Sequence, residues 1–324
     1  MRTGLLALAS LGILSSAALA QPPVIVPSCD RACLEGYLDR YLTAMLEQDV
    51  SAELFARDVR FTENGIRLPL GSEGLWYGMS GMGTYQFYIP DVETGQIAFL
   101  GTVKENMSNN GVNNGQGNTV AVAIRLRIRD GLITEVEQLA VRPAAQLGGR
   151  GRGAGGGGPS APTTGDRIEA MGAPNPVFLE SIPVTERHTR EELVQIGNAY
   201  FTGLARNDAK GYYPFTGNCT RFENGMVTTR DCLDQFSNGS QVGIVSRIRD
   251  RRFVAVDRER GIAFAFVFFD HHRINWTWQM AELFRIENGK IRMVEAIFHQ
   301  APFGISSGWS SYEQSISEEI QSVR

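Results

Sequence analysis

The chain has 324 residues, 43% of them apolar and 20% charged, with a net charge of −4 at pH 7. That composition belongs to a globular protein and gives no electrostatic basis for binding nucleic acid or anionic lipid. Length divided by roughly 150 sets a prior of two domains.

Arg2, the apolar stretch Gly4 to Leu14 and the small-residue signal Ala18-Leu19-Ala20 predict a signal peptide over 1–20, with a mature chain starting at Gln21. Export to the periplasm or the exterior follows. The apolar stretch is shorter than the roughly 20 residues of a membrane helix and no later run reaches that length, so no membrane partner is expected. Cys29 lies too far beyond the cleavage signal to carry a lipid.

From Leu34 onward, Leu38, Tyr41, Leu42 and Met45 recur at helical spacing, ending at Glu47-Gln48-Asp49. Leu193, Ile196, Tyr200, Phe201 and Leu204 repeat the pattern and end at Arg206-Asn207-Asp208. Arg60-Phe61-Thr62-Glu63-Asn64-Gly65 then matches Thr220-Arg221-Phe222-Glu223-Asn224-Gly225, each with an Asn-Gly turn at a hairpin tip. Glu63 and Glu223, standing directly before those turns, read as turn residues. A turn-rich, helical or irregular segment follows in each half. Ile97 to Met107 is matched with Phe253 to Asp270, and Val120 to Arg142 with Gln279 to Gln300, the closing pairs broken at Asp130-Gly131 and Asn288-Gly289.

Such a repeat predicts an α+β chain of two tandem modules, 29–143 and 189–310, with a tail at 311–324. The intervening 144–188 is a linker. Gly148 to Gly158 is nearly all glycine apart from Arg150 and Arg152, too poor in apolar surface to order itself. The proline-bearing stretch Asp166 to Thr189 is expected to run along the second module.

Four cysteines in an exported chain point to two disulfides. Spacing does not separate the three connectivities, and local pairing is preferred: Cys29 with Cys33 before the first helix, and Cys219 with Cys232 across a hairpin. A metal there would need more ligands than Asp30 and Glu35 add.

The order of leading amphipathic helix, Asn-Gly hairpin and long closing meander resembles the nuclear transport factor 2-like or SnoaL-like superfamily, over nearly all of the chain after the leader. The run Val294-Glu295-Ala296-Ile297-Phe298-His299-Gln300-Ala301-Pro302-Phe303-Gly304, followed by Ser307-Gly308-Trp309, is similar to the ending of an exported family of uncharacterised function. The resemblance implies cone-shaped modules, each with N-terminal helices on a curved, mainly antiparallel sheet around a small-molecule pocket. It also implies pairing of the two modules as an intramolecular pseudo-dimer, and leaves a homodimer open. Members of the superfamily include isomerases, dehydratases, cyclases, epoxide hydrolases and non-catalytic binding modules, so the fold implies a pocket but no single reaction.

Inward residues alternate along a strand. In the last strand Ile291, Met293, Glu295, Ile297 and His299 share one face and Arg292, Val294, Ala296 and Phe298 the other. Both faces are partly apolar, so periodicity leaves the inward one open, but the first sets a carboxylate beside an imidazole. The first module has Glu137 in register with Glu295 and Val141 where His299 stands. Histidine exchanges protons near neutrality, and His271, His272 and His299 all lie in second-module strands. Asp270 and His272 share one face of their strand and His271 takes the other. Either Asp270 orients His299, or His271 and His299 form the acid and base. A metal site from Asp270, His271 or His272, and His299 is disfavoured because adjacent histidines on a strand diverge. No Gly-rich phosphate loop follows a predicted strand, so no cofactor is expected. Tyr200, Tyr212, Trp276 and Trp278 are the aromatic candidates for substrate contact.

The sequence thus predicts a cofactor-independent lyase or isomerase acting by acid–base chemistry on a small, rather apolar hydroxy or carbonyl compound. His299 works in the second module, helped by Asp270, His271 or Glu295. The alternative is a non-catalytic small-molecule-binding or assembly protein.

Overall fold

A computed structural model describes residues 29–107, 115–143, 161–206, 210, 212–237 and 245–321. The expected leader, the Gly148–Gly158 tract and Asn207-Asp208 lie outside the described residues.

The first module runs α1 (Arg31–Glu47), β1 (Phe55–Glu63), β2 (Ile66–Arg67), α2 (Leu75–Gly78), β3 (Met79–Asp91), β4 (Gln96–Glu105), β5 (Asn118–Arg129) and β6 (Leu132–Val141). Between the modules come α3 (Thr164–Met171) and α4 (Pro176–Leu179). The second module repeats the order with α5 (Arg190–Arg206), β7 (Phe215–Glu223), β8 (Met226–Thr229), α6 (Cys232–Ser237), β9 (Arg247–Asp257), β10 (Ile262–His271), β11 (Trp276–Glu287) and β12 (Lys290–Pro302). A short α7 (Tyr312–Ile316) lies near the chain end.

Each module holds one six-stranded mixed sheet, ordered β2-β1-β6-β5-β4-β3 and β8-β7-β12-β11-β10-β9. Neighbouring strands are antiparallel except β1 with β6 and β7 with β12, which are parallel. The chain is an α+β protein of two modules.

Local chemistry explains the turns. Asn64-Gly65, Asp130-Gly131, Asn224-Gly225 and Asn288-Gly289 all have positive φ at both residues, the requirement of the tight turn that suits twisted hairpins. Asp30 caps α1 by accepting from the Cys33 amide at 2.9 Å. Disulfides join Cys29 to Cys33 and Cys219 to Cys232. Among the described residues no helix is long and apolar enough to cross a membrane.

The middle segments differ from expectation. Each contains a long strand, β3 or β9, after its short helix, so β4 matches β10 alone and not the whole of Phe253 to Asp270. In β3 the glycines and Pro90 mimic turn punctuation. Pro90 is tolerated because β3 is an edge strand, and Gly81 and Gly83 sit where its pairing with β4 shifts register. The linker helix α3 contacts first-module strands β3, β4 and β5, while Arg167 reaches Asn224 O at 2.8 Å. It therefore touches both modules.

Three apolar clusters organise the described residues. Leu38, Tyr41 and Met45 of α1 cluster with Phe55, Trp76, Phe99 and Ile124, and Tyr200, Phe201 and Leu204 of α5 cluster with Phe215, Phe236, Phe269 and Phe284. The third cluster joins the modules: Phe87, Leu100 and Leu139 meet Phe264, Phe266, Leu283 and Ile297 across the seam between the two sheets. Fully burying each such side chain is worth about 1.5–3 kcal/mol. With helices on one face and the other sheet on the opposite face, the central strands are buried on both sides. That is why Phe264 to Phe269 is an unbroken apolar run.

Ion pairs tie the seam reciprocally. Arg31 at the start of α1 reaches Asp257 at 2.7 Å, and Arg190 at the start of α5 reaches Asp91 at 3.0 Å. The segment after β12 also crosses over, with Trp309 Nε1 donating to Thr62 at 2.7 Å and the Arg60 guanidinium 4.3 Å from the Trp309 ring.

Candidate acid–base site

Strand facing decides what each candidate residue does. In β12, Val294, Ala296 and Phe298 join the cluster under α5, whereas Met293 and Ile297 join the seam. Glu295 and His299 therefore face the seam, away from the helix-covered interior. In β10, Ala265, Val267 and Phe269 face α5, so His271 shares that side and Asp270 takes the other.

Facing parts His271 from His299, whereas Asp270, Glu295 and His299 share one side of the sheet. Glu295 lies at the seam with Tyr85 Oη 2.8 and 2.9 Å from its two carboxylate oxygens. Burial pushes this carboxyl up to about 7 against the lowering effect of the Tyr85 hydrogen bond. His299 Nε2 is 3.1 Å from Gln279 Oε1. Burial, aided by Arg142 and opposed by a hydrogen bond at the Gln300 backbone, holds its imidazole below the ordinary value.

Asp270 binds Arg247 and Arg249, at 2.5 and 2.8 Å, and Thr277 Oγ1 at 2.7 Å. Burial raises this carboxyl, but those hydrogen bonds outweigh it and hold it below the usual range. Its oxygens are thus engaged by cations and a hydroxyl, not by His299. His271 packs edge-on against Trp278, ring centroids 4.2 Å apart, and Trp278 leans on Phe298 at 4.9 Å. Trp276 is half-buried, and Tyr212 is 74% exposed and points away from any interior.

Of the aromatic candidates Tyr200 meets the most chemistry, in a group not anticipated from the sequence. Its hydroxyl donates to Glu282 Oε1 at 2.7 Å and accepts from Arg221 Nε at 3.0 Å. Arg221 also pairs with Glu223. Strand alternation brings these groups together: Glu282 of β11 stands opposite Ala265, on the side facing α5, and Arg221 projects from β7 towards Phe236 of α6, its guanidinium 5.5 Å from that ring. Glu282 is 0% and Arg221 1% exposed.

Burial pushes the Glu282 carboxyl up to about 7, although Arg221 and Tyr200 favour its charged form. Burial likewise drives the Tyr200 hydroxyl well above its ordinary value. Glu282 Oε2 and Arg221 Nη1 are buried with no hydrogen-bond partner. A buried polar atom left unsatisfied costs about 1–3 kcal/mol, a cost that both of these atoms carry.

The first module shows what the same frame holds without that chemistry. Glu137 pairs with Arg125 and Thr62 as Glu295 pairs with Leu283 and Phe222. By that register Ile124 stands for Glu282 and Phe61 for Arg221. Tyr41, the counterpart of Tyr200, contacts the neutral Gln138 amide at 2.9 Å. Comparison of the halves position by position, with Glu282 against Ile124 and Arg221 against Phe61, is the signal that could have found them. Glu63 and Glu223 are more than turn residues: Glu63 accepts from the Leu75 amide at 2.8 Å and pairs with Arg142 at 2.7 Å.

Gly304-Ile305-Ser306-Ser307-Gly308 has the Gly-x-Ser-x-Gly spacing, but it follows β12 as a loop and no helix begins before Tyr312. The strand–turn–helix elbow that exposes a nucleophile is absent from this segment. Among the described residues no three His, Cys, Asp or Glu side chains gather as a metal-holding group.

Fold and site together define a two-module α+β protein with a buried carboxylate–tyrosine–arginine group in its second half. Residues 186–298, the span of that half, match the family described as "Domain of unknown function (DUF8021)". No curated protein matches the chain. A solved structure described as "Crystal structure of a de novo designed protein with curved beta-sheet" is 15% identical over 35% of this chain and 88% of its own, with a TM-score of 0.27.

Proposed function

We propose that the chain is an exported, cofactor-independent lyase or isomerase of SnoaL-like, cone-shaped modules, acting on a small, rather apolar hydroxy or carbonyl compound in its second module. The observation that carries this reading is Glu282: a buried carboxyl poised at about 7, one oxygen on Tyr200, the other unpaired. Such a group gives or takes a proton at working pH with little driving force lost. The two disulfides fit export into an oxidising compartment.

In this mechanism the Glu282 carboxylate removes a proton from the carbon next to a carbonyl. The free Arg221 N–H stabilises the oxygen that gains charge, and Tyr200, held by Arg221 Nε, keeps the carboxylate oriented. In a β,γ-unsaturated ketone, return of that proton from Glu282 to the γ carbon moves the double bond and gives isomerisation. In a β-hydroxy ketone, transfer of the proton from Glu282 to the hydroxyl lets it leave as water while the carbon–carbon double bond forms. The aromatic shell of Phe201, Phe215, Phe236 and Phe284 excludes water and favours an apolar substrate.

A non-catalytic binding protein is the second reading, favoured by the complete burial of Tyr200 and Glu282. The test incubates the chain in D2O with a panel of small aliphatic, cyclic and β-hydroxy ketones. The proposal expects deuterium uptake or water loss for at least one compound, reduced about a hundredfold or more in Glu282→Gln. Saturable binding with neither change identifies a binding protein.

A further inference from the structure

A second site lies on the first module. An open groove of about 840 Å³ runs beside β1, within the roughly 300–1,000 Å³ span of small-molecule clefts. Its apolar lining includes Phe55, Val59, Leu68 and Leu132, and its charged lining residues are Arg57 and Arg67. Both arginines are exposed and make no hydrogen bond or ion pair with described residues.

The groove begins in a feature that both modules share. Between Phe55 and Arg60, β1 advances five residues while its partner β6 advances two, from Ile133 to Glu135. Between Phe215 and Thr220, β7 does the same against Ile291 and Met293. A bulge of this size leaves backbone unpaired and opens a gap at the sheet's side.

The modules treat the gap differently. Positions equivalent to Arg57, Val59, Leu68 and Leu132 hold Gly217, Cys219, Thr228 and Lys290 in the second module. There the Cys219–Cys232 disulfide ties the bulged strand to α6. The apolar floor with two arginines is thus particular to the first module and is not a by-product of the fold.

We propose that this groove binds an anionic amphiphile of the fatty carboxylate class, its chain along Phe55, Val59 and Leu68 and its carboxylate between Arg57 and Arg67. Exposed apolar surface gathered in one groove marks a binding site more often than chance. Two unpaired guanidinium groups at its rim, on a chain of net charge −4, select a carboxylate head, for which arginine offers two parallel N–H donors. Among the described residues no carboxylate lines the groove to oppose it.

The site is independent of Glu282. Titration calorimetry with sodium decanoate below its micellar concentration tests it, with decanol and decyltrimethylammonium as neutral and cationic controls. The expected result is one saturable decanoate site, at least tenfold weaker in Arg57→Glu/Arg67→Glu and in Val59→Asp, unchanged in Glu282→Gln, and no cation binding. Circular dichroism establishes that the surface variants fold. Absence of saturable decanoate binding, equal affinity for the cation, or unchanged affinity in the charge-reversed variant would overturn the proposal.

Discussion

Glu137 and Glu295 occupy the same place in the two modules, yet Glu137 receives both terminal nitrogens of Arg252, at 2.7 and 2.8 Å, whereas Glu295 receives only the Tyr85 hydroxyl. One seam carboxylate is balanced by a cation from the opposite module and its twin is not. Unequal electrostatics in a near-symmetric interface lead to distinct behaviour on mutation and with pH.

Stability should fall as the solution is made alkaline. Glu282 and Glu295 keep their protons to about 7 when folded, whereas an unfolded glutamate releases its own near 4.3. Between those values the unfolded chain has lost protons that the folded chain still holds, so raising the pH favours unfolding. Each group contributes on the order of 3 kcal/mol across that window. Urea denaturation at pH 5 and pH 8 should show the native state weaker at pH 8, and Glu295→Gln should remove about half of the difference.

Glu137→Gln should be far more damaging than Glu295→Gln at neutral pH. It removes one of two carboxylates from each of the buried Arg252 and Arg125, which keep Asp250 and Glu135, and with it two charge-assisted hydrogen bonds from Arg252 worth about 1.5–3 kcal/mol each. Glu295→Gln replaces a group that is largely neutral already. Chemical denaturation of the two variants side by side at pH 7 compares them.

Arg221→Met should move any activity to higher pH. Arg221 favours the charged form of Glu282, so its loss raises that carboxyl further and shifts the basic form of the site upward. A pH–rate profile whose acidic limb moves to alkaline values is the expected result, and an unmoved limb would mean Arg221 does not act on Glu282.

The second disulfide should matter more than the first. Cys219 and Cys232 are 13 residues apart and Cys29 and Cys33 are 4 apart, which on loop entropy is worth about 3 against about 2 kcal/mol. Thermal melts of Cys219→Ser/Cys232→Ser and Cys29→Ser/Cys33→Ser compare them.

Much of the architecture was legible because it rests on local chemistry. The Asn-Gly and Asp-Gly turns need positive φ, the α1 and α5 patterns need one apolar stripe, and the half-to-half match survives without any known motif. Facing was not legible. β10 and β12 are covered by helices on one side and by the other sheet on the other, so alternation carries little information about which residues point where. Attention to histidine favoured His299 and His271, which face opposite sides of their sheet, over Glu282, whose unusual place in an apolar strand shows only against Ile124.

The most direct measurement is a carbon-13 NMR titration of the glutamate side-chain carboxyls in the folded protein, repeated in Glu282→Gln and Glu295→Gln. Two carboxyl signals titrating near 7 are expected, one lost in each variant. If the signal lost in Glu282→Gln titrates near the ordinary 4.3, Glu282 is a solvated structural acid and the second module has no proton-transfer group of the kind described.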